Sequence, residues 1–260
     1  FIQVLNRGDL PEIAPKASGR LELANWMASP EHPLTARVFA NRVWHHLFGK
    51  GLVASVDNFG HMGRLPTNQP LLDHLAVRFV EEGWSIKKLI REIVLSRTYQ
   101  LSTDSGAQAK VDLENELHWR QNRRRLQAES IRDAILSVSG QLDKTMGGPT
   151  IKAGTSIEYG YKFDDTRRSL YTPVFRNTPL EILAVFDFAD PNLVVGERTS
   201  SSVPTQALFL MNNPFVRQQA EAAATRLLQE DLADDSARIA HAYQRTLGRR
   251  PTQECAPIEG

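Results

Sequence analysis

The chain has 260 residues, enough for one large domain or two small ones, with 41% hydrophobic and 23% charged residues, an ordinary globular mixture. Its 31 Lys and Arg against 30 Asp and Glu leave a formal net charge of +1, which excludes a global field for polyanions and leaves only local basic patches. The single cysteine, Cys255, excludes an internal disulfide, a CxxCH haem attachment and a multi-cysteine zinc site within the chain, and no apolar run reaches the length of a membrane span.

The sequence starts at Phe1 with no signal-peptide pattern and reads as a fragment of a longer protein. Residues 1–5 suit a strand or an extended arm. Arg7-Gly8-Asp9 reads as a polar turn, and Pro11 and Pro15 keep the next stretch extended. A short helix is expected over Gly19–Ala28, ending at Ser29-Pro30. The next helix opens at Pro33, where a missing N–H costs little, and stops at the Gly49-Lys50-Gly51 turn. It mixes Val38, Phe39, Val43, Trp44, Leu47 and Phe48 with Asn41, Arg42, His45 and His46. Adjacent helical residues point about 100° apart, so His45 and His46 do not hold one ion together, and no metal site is expected.

Residues 57–66, DNFGHMGRLP, have neither the Walker spacing nor GxGxxG, so Gly60 and Gly63 are expected to make a compact turn rather than a phosphate cradle. Pro70–Glu82 repeats apolar residues at helical spacing and is stopped by Gly83. Ser85 caps a following helix through Ile86, Leu89, Ile90 and Ile93, giving an αα-hairpin. Ser102–Lys110 reads as a loop. Asp112–Ser139 is the longest helical signal, polar at first and apolar later, with Gly140 at its C-cap.

The texture changes at Gly147-Gly148-Pro149. Thr150–Phe175 is rich in β-branched and aromatic residues and predicts two or three short strands. Helices are then expected from Thr178-Pro179, from Pro204 with an interruption at Asn212-Asn213-Pro214, and from Asp235 or Ser236 to Leu247, closed by Gly248. The expected fold is therefore mainly α: an irregular multi-helix domain over 1–260, with a helical part 19–140, a small antiparallel β insertion around 150–175 and a C-terminal helical part 178–248.

Arg125, Glu129 and Asp133 step by four and Arg132 lies three after Glu129, a spacing that permits charge-assisted bonds along one helix face. With Asn41 and Arg42 they form the expected structural polar network between the first long helix and the longest one. His45, Asp57, His61, Arg168, Tyr171 and Arg176 are the candidate ligand-binding residues. No catalytic residue is assigned.

The strings RLELANWMASPEHPLTARVFANRVWHHLFGKGLV, GWSIKKLIREIVLSRTYQLS, NRRRLQAESIRDAILSVSG, RRSLYTPVFRNTPLEILAVFDFADPN, SVPTQALFLMNNPFV and RIAHAYQRTLGRRPT follow one another along nearly the whole chain. In these the chain resembles the planctomycete cytochrome-c-associated C-terminal domain of unknown function, the PSD-type module. It departs at Thr67-Asn68-Gln69-Pro70, where relatives often carry a His-Pro pair. The resemblance implies position more than activity. It places the module at the C-terminal end of an exported protein of the periplasm or cell envelope. A haem c domain and a companion domain of unknown function in the same parent would be its partners. No cofactor is expected within this chain, the haem c belonging to another domain. The resemblance carries over no catalytic residues.

Two functions from different classes follow. One is a non-catalytic interaction or scaffold module. The other is a carbohydrate-active hydrolase or polysaccharide-binding domain. Hydrolysis needs two carboxylates flanking a cleft, and Asp57, Glu129, Asp133, Asp164, Asp165 and Asp187 are available for it. A convergent pair in an open pocket favours the hydrolase; carboxylates held against arginines count against it. Nucleic-acid binding through Arg120 and Arg123–Arg125 is disfavoured by the near-zero net charge and the absence of a recognised motif.

Overall fold

The computed structural model describes Leu5 and residues 12–252. The arm expected over residues 1–5 (Leu5 aside), the turn at Arg7-Gly8-Asp9, and Cys255 lie outside the described residues. The chain is mainly helical and forms two compact units, one ending at Arg124 and the other beginning at Arg125.

The first unit contains α1 (Arg20–Met27), α2 (Thr35–Phe48), α3 (Gln69–Glu81) and α4 (Ile86–Val94). Their termini follow from local chemistry. Gly49, at φ 82°, closes α2 in the left-handed conformation that glycine tolerates. Asn68 Oδ1 accepts from Leu71 N at 3.0 Å to start α3, and Ser85 Oγ accepts from Lys88 N at 3.4 Å to start α4. The start of α2 is held by a histidine. His32 Nδ1 accepts from Leu34 N at 3.3 Å and Thr35 N at 3.1 Å, and meets Thr35 Oγ1 at 2.9 Å. The His32 ring also meets Trp26 of α1 edge-on, with centroids 4.4 Å apart.

The apolar stripes of α2, α3 and α4 make one core of Ala40, Val43, Trp44, Phe48, Leu72, Leu75, Phe79, Leu89 and Ile93. Phe39 stacks on Phe79 at 5.0 Å. Each fully buried Leu or Phe contributes roughly 1.5–3 kcal/mol. The segment after α2 is not helical, yet Gly51, Leu52 and Val53 are buried. Asn41, fully buried on α2, supplies what a neighbouring strand would. Its Nδ2 donates to Val53 O at 3.0 Å, and its Oδ1 accepts from Val53 N at 2.8 Å. A Cβ on Gly51 would sit 2.6 Å from Val53 O and 2.8 Å from Asn41 Nδ2, so only glycine lets the backbone lie this close. Leu52 O then accepts from Thr67 N at 2.9 Å, closing the loop that carries Asp57 and His61.

The second unit contains α5 (Ala128–Ser139), α6 (Glu181–Val185), α7 (Pro204–Asn212), α8 (Pro214–Leu228) and α9 (Asp235–Leu247). Its core is Ala128, Ile182, Leu183, Phe186 and Phe209, with Ile131, Ile135, Phe215 and Val216 packed around them. Pro204 and Pro214 open α7 and α8, and Gly248 at φ 66° ends α9.

Two sequence expectations fail. The small antiparallel β insertion at 150–175 is absent: among the described residues the only ladder contact is an isolated parallel bridge between Asp143 and Arg167. Gly147, Gly148, Gly154 and Gly160 all take positive φ, turning the chain too often for strands to run. Tyr161, Phe163 and Phe175 meet edge-to-face in a cluster instead of across a sheet. The helix expected over 112–139 starts only at Ala128. Upstream, short polar side chains take the backbone away from the helix. Asp112 accepts from Glu116 N at 2.9 Å and Leu117 N at 2.8 Å. Asn115 and His118 sit at φ 53° and 52°.

Replacing Asn41 by Leu keeps the branched shape and leaves Val53 N–H and C=O buried without partners. We expect a loss of about 2–5 kcal/mol, at roughly 1–3 kcal/mol per stranded group, read as a lower urea midpoint at constant m-value. An unchanged midpoint would show that Asn41 does not hold this segment. Burial holds the His32 and His118 rings below the ordinary histidine pKa. Well above about pH 6.5 both are neutral folded or unfolded; as the pH falls below it the unfolded chain takes up protons first, so stability declines with falling pH. Thermal unfolding across that window should show the decline, and His32→Asn should flatten it; a slope identical in the variant would remove His32 from this role.

Candidate functional site

The densest polar cluster is built on α5 of the second unit. Arg132 is 3% exposed, yet its guanidinium remains charged at any ordinary pH, so its donors need acceptors. The loop 165–169 provides them. Arg132 Nη1 donates to Arg167 O at 2.9 Å and to Ser169 Oγ at 3.3 Å, and Nη2 donates to Asp165 O. The next residue of α5 holds the same loop. Asp133 Oδ1 accepts from Ser169 N and from Ser169 Oγ, both at 2.7 Å, and lies 3.6 Å from Arg132 Nη1. Within the loop Arg167 forks onto Asp165 at 2.7 and 2.9 Å, reaches Gly147 O and Pro149 O at 2.9 and 3.0 Å, and lies over the Tyr171 ring at 5.2 Å.

A second clasp sits beside the first. Arg198 Nη1 donates to Glu129 Oε2 at 2.8 Å and its guanidinium lies 5.0 Å from the Phe188 ring. Asp187, at φ 59°, accepts from Ser201 N at 2.7 Å and Ser201 Oγ at 2.9 Å, with Gln206 Nε2 at 3.4 Å. Arg125 donates to Ser201 O and covers Phe186 at 5.6 Å. These bonds decide the protonation states. The Arg167 guanidinium holds the Asp165 carboxyl below the usual range, and the Ser201 N–H and hydroxyl do the same for Asp187. Burial opposes ionisation of Glu129, but the bond from Arg198, its own backbone N–H and the Arg198 charge together outweigh it and hold this carboxyl low as well. Lys152 holds Asp164 low on the surface. These four carboxyls are therefore ionised at neutral pH.

Of the expected polar network, the structure brings Glu129, Arg132 and Asp133 together on α5, each hydrogen-bonded to a distant loop, with an ion pair between Arg132 and Asp133. Arg125 lies before α5 and binds the Ser201 segment, Asn41 binds Val53 within the first unit, and Arg42 is exposed on α2. Among the candidate ligand-binding residues, His45 is half-buried on α2, its ring 5.5 Å from that of His46. Asp57 and His61 are exposed on the loop after α2; Arg168 and Arg176 are exposed, and Tyr171 lies beneath Arg167. Ser169, Arg198, Ser201 and Gln206 join the clasps unannounced by any spacing rule. Ser169 lies 36 residues from Asp133, and Arg198 lies 69 from Glu129.

Among the described residues no three His, Cys, Asp or Glu side chains come together to hold a metal ion, and no helix is long and apolar enough to cross a membrane. In the first unit a polar cavity of about 280 Å³ opens between Pro30–Arg37 and α3. Glu31, His32, Arg37, Asp73 and Glu81 line it, and Arg37 and Gln69 hold Asp73 below the usual carboxylate range by bonds of 2.5 and 2.8 Å.

The family model described as "PSD1: Protein of unknown function (DUF1553)" matches residues 19–257, and the chain belongs to this family. Neither the curated proteins nor the solved structures give a match.

Arg132→Met tests the α5 clasp. It strands two loop carbonyls and should cost about 2–5 kcal/mol in urea unfolding, at roughly 1–3 kcal/mol per stranded group. The 143–168 segment should also become cleavable by protease in the variant. Asp133→Asn keeps the Oδ1 acceptor and should cost about 1 kcal/mol or less. Equal stability of Arg132→Met and the parent would show that the loop is held by other contacts.

Proposed function

We propose that this PSD1-family chain is a non-catalytic interaction or scaffold module at the C-terminal end of an exported, cytochrome-c-linked planctomycete protein. Its partners are then the other domains of the parent, a haem c domain and a companion domain of unknown function, in the periplasm or cell envelope. The supporting observation is the spending of charge on the chain itself. Arg132, the most deeply buried cation, gives its bonds to Asp165 O, Arg167 O and Ser169, and the nearby carboxylates are engaged by Arg167, Arg198 and Ser201. A site for general acid catalysis needs a carboxyl raised towards neutral pH. Asp164, Asp165, Asp187 and Glu129 are all moved the other way.

The alternative, a carbohydrate-active hydrolase or polysaccharide-binding domain, rests on the polar cavity beside α3, where Glu31 and Glu81 accompany Asp73. Asp73 is ionised by its bonds to Arg37 and Gln69, so it serves as an acceptor or base and not as a proton donor there.

Calorimetric titration of the chain with the separately produced remainder of its parent polypeptide tests the first reading. A saturable 1:1 complex is expected, with Kd in the micromolar range or below. No detectable complex, together with new reducing ends released from a panel of neutral and sulfated polysaccharides, would replace the scaffold by the hydrolase. Glu31→Gln and Glu81→Gln would then be the variants that abolish release.

A further inference from the structure

α1 buries none of its residues, so the arm it forms with residues 28–32 is not fixed by an apolar core of its own. The bonds within the arm are local: Ala28 N donates to Ala24 O at 2.9 Å, Ser29 N to Trp26 O at 3.3 Å and His32 N to Ser29 O at 3.0 Å. His32 joins the arm to α2. Its Nδ1 accepts from Leu34 N and Thr35 N and meets Thr35 Oγ1, and its ring carries Trp26 edge-on. The next residue belongs to the body of the unit. Pro33 O accepts from Arg37 Nη1, and Arg37 Nε pairs with Asp73 of α3 at 2.5 Å. The chain thus has a fixed point at Pro33 and, just before it, a fastening made at a single ring nitrogen.

That nitrogen titrates. An Nδ1 that accepts backbone N–H groups carries no proton, so the neutral ring holds its proton on Nε2, which is buried and has no hydrogen-bond partner. Protonation turns Nδ1 from an acceptor into a donor that faces other donors. It also sets a cation at the N-terminus of a 14-residue helix, where the macrodipole favours negative charge. The Trp26 contact does not resist the change, because an indole also attracts a cation. The charged groups around the ring are Glu31 beside it, Arg20 and Glu22 on α1, Arg37 on α2, and Asp73 and Glu81 on α3. Asp73 is taken up by Arg37 and Gln69, and Glu81 lies 3.7 Å from Arg78. No carboxylate among them pairs with the ring, and burial keeps its pKa below the ordinary histidine value.

The arm is also one side of the polar cavity of about 280 Å³: Pro30, Glu31 and His32 lie on it, opposite Asp73, Val77 and Glu81 of α3. We propose that residues 20–32 are an acid-released lid over this cavity: a proton on His32 Nδ1 breaks the bonds to Leu34 and Thr35, and the lid swings out about Pro33. The closed state is the neutral one and the open state takes the proton, so release sets in as the pH falls below about 6.5. Because α1 buries nothing, opening leaves the core of α2, α3 and α4 in place. The lid stands apart from the scaffold reading and from the nature of any ligand of the cavity.

The test is two-dimensional NMR of the whole chain titrated from about pH 7.5 to about pH 5, with a nitroxide on Asn25→Cys in a Cys255→Ser background. At the upper end the label should broaden the α3 amides; the broadening should be lost with the midpoint at which the His32 ring titrates. Over the same range the Leu34 and Thr35 amides should lose about tenfold in exchange protection, the usual effect of losing a helix cap, while Phe79 and Ile93 keep theirs. His32→Asn supplies an acceptor that does not titrate and should keep the lid closed throughout. His32→Lys puts a permanent donor in its place and should release the lid already at about pH 7.5, with the Phe79 and Ile93 amides unchanged. Broadening of α3 that persists through the His32 titration overturns the proposal, as does a transition that survives in His32→Asn. So does loss of protection at Phe79 and Ile93 at the same pH as at Leu34, since the event is then unfolding of the whole unit.

Discussion

A backbone that leaves regular secondary structure and is nevertheless buried must find partners for its N–H and C=O groups. Among the described residues only the isolated Asp143–Arg167 bridge is of β type, and the connections are long, so helical side chains do it instead. Asn41 pairs both polar groups of Val53, and Arg132 gathers the carbonyls of Asp165 and Arg167. Each of these residues lies on the packed face of its helix, where an aliphatic side chain would bury more apolar area. The backbone requirement outweighs that gain, because a stranded buried peptide group costs about as much as a buried methyl-bearing side chain returns. Gly51 completes the first arrangement, since any side chain there would strike the Asn41 amide.

Helices were the legible part of the sequence because their signals are local. Pro70, Ser85, Pro204, Pro214, Gly49, Gly140 and Gly248 mark helix ends that the structure reproduces within a residue or two. The segment 150–175 misled because β-branched and aromatic composition is not strand formation. A strand needs a neighbour and a buried face, and here most residues from Thr150 to Gly160 are exposed while glycines at positive φ keep redirecting the chain. The polar start of the expected long helix misled for a related reason. Asp112 and Asn115 have side chains short enough to bond nearby backbone groups, and they do so in place of a helix.

The candidate site was legible by residue type only. Glu129, Arg132 and Asp133 stood out by spacing, but spacing describes one helix face and their partners come from loops 33 to 69 residues away. Nothing in the one-dimensional pattern connects Asp133 with Ser169, or Glu129 with Arg198. Nor does composition distinguish an arginine that awaits a ligand from one that holds a loop. That distinction is carried by the acceptors, and for Arg132 they are mostly peptide carbonyls, which bind the chain to itself.

The distribution of unmet groups then matters more than the density of charge. The charged clusters on α5 are internally satisfied, whereas apolar side chains are presented outward on connections whose necks are fastened. The loop closed by Leu52 and Thr67 exposes Met62 at 86% and Leu65 at 89%, and the loop fastened by Asp187 and Ser201 exposes Leu193 at 67% and Val194 completely. Single exposed aliphatics are ordinary on protein surfaces, but neighbouring ones on a pinned loop do not lose much entropy when covered. Here the polar groups of the α5 clasps hold loops in place, and these aliphatic side chains face outward from the fastened loops.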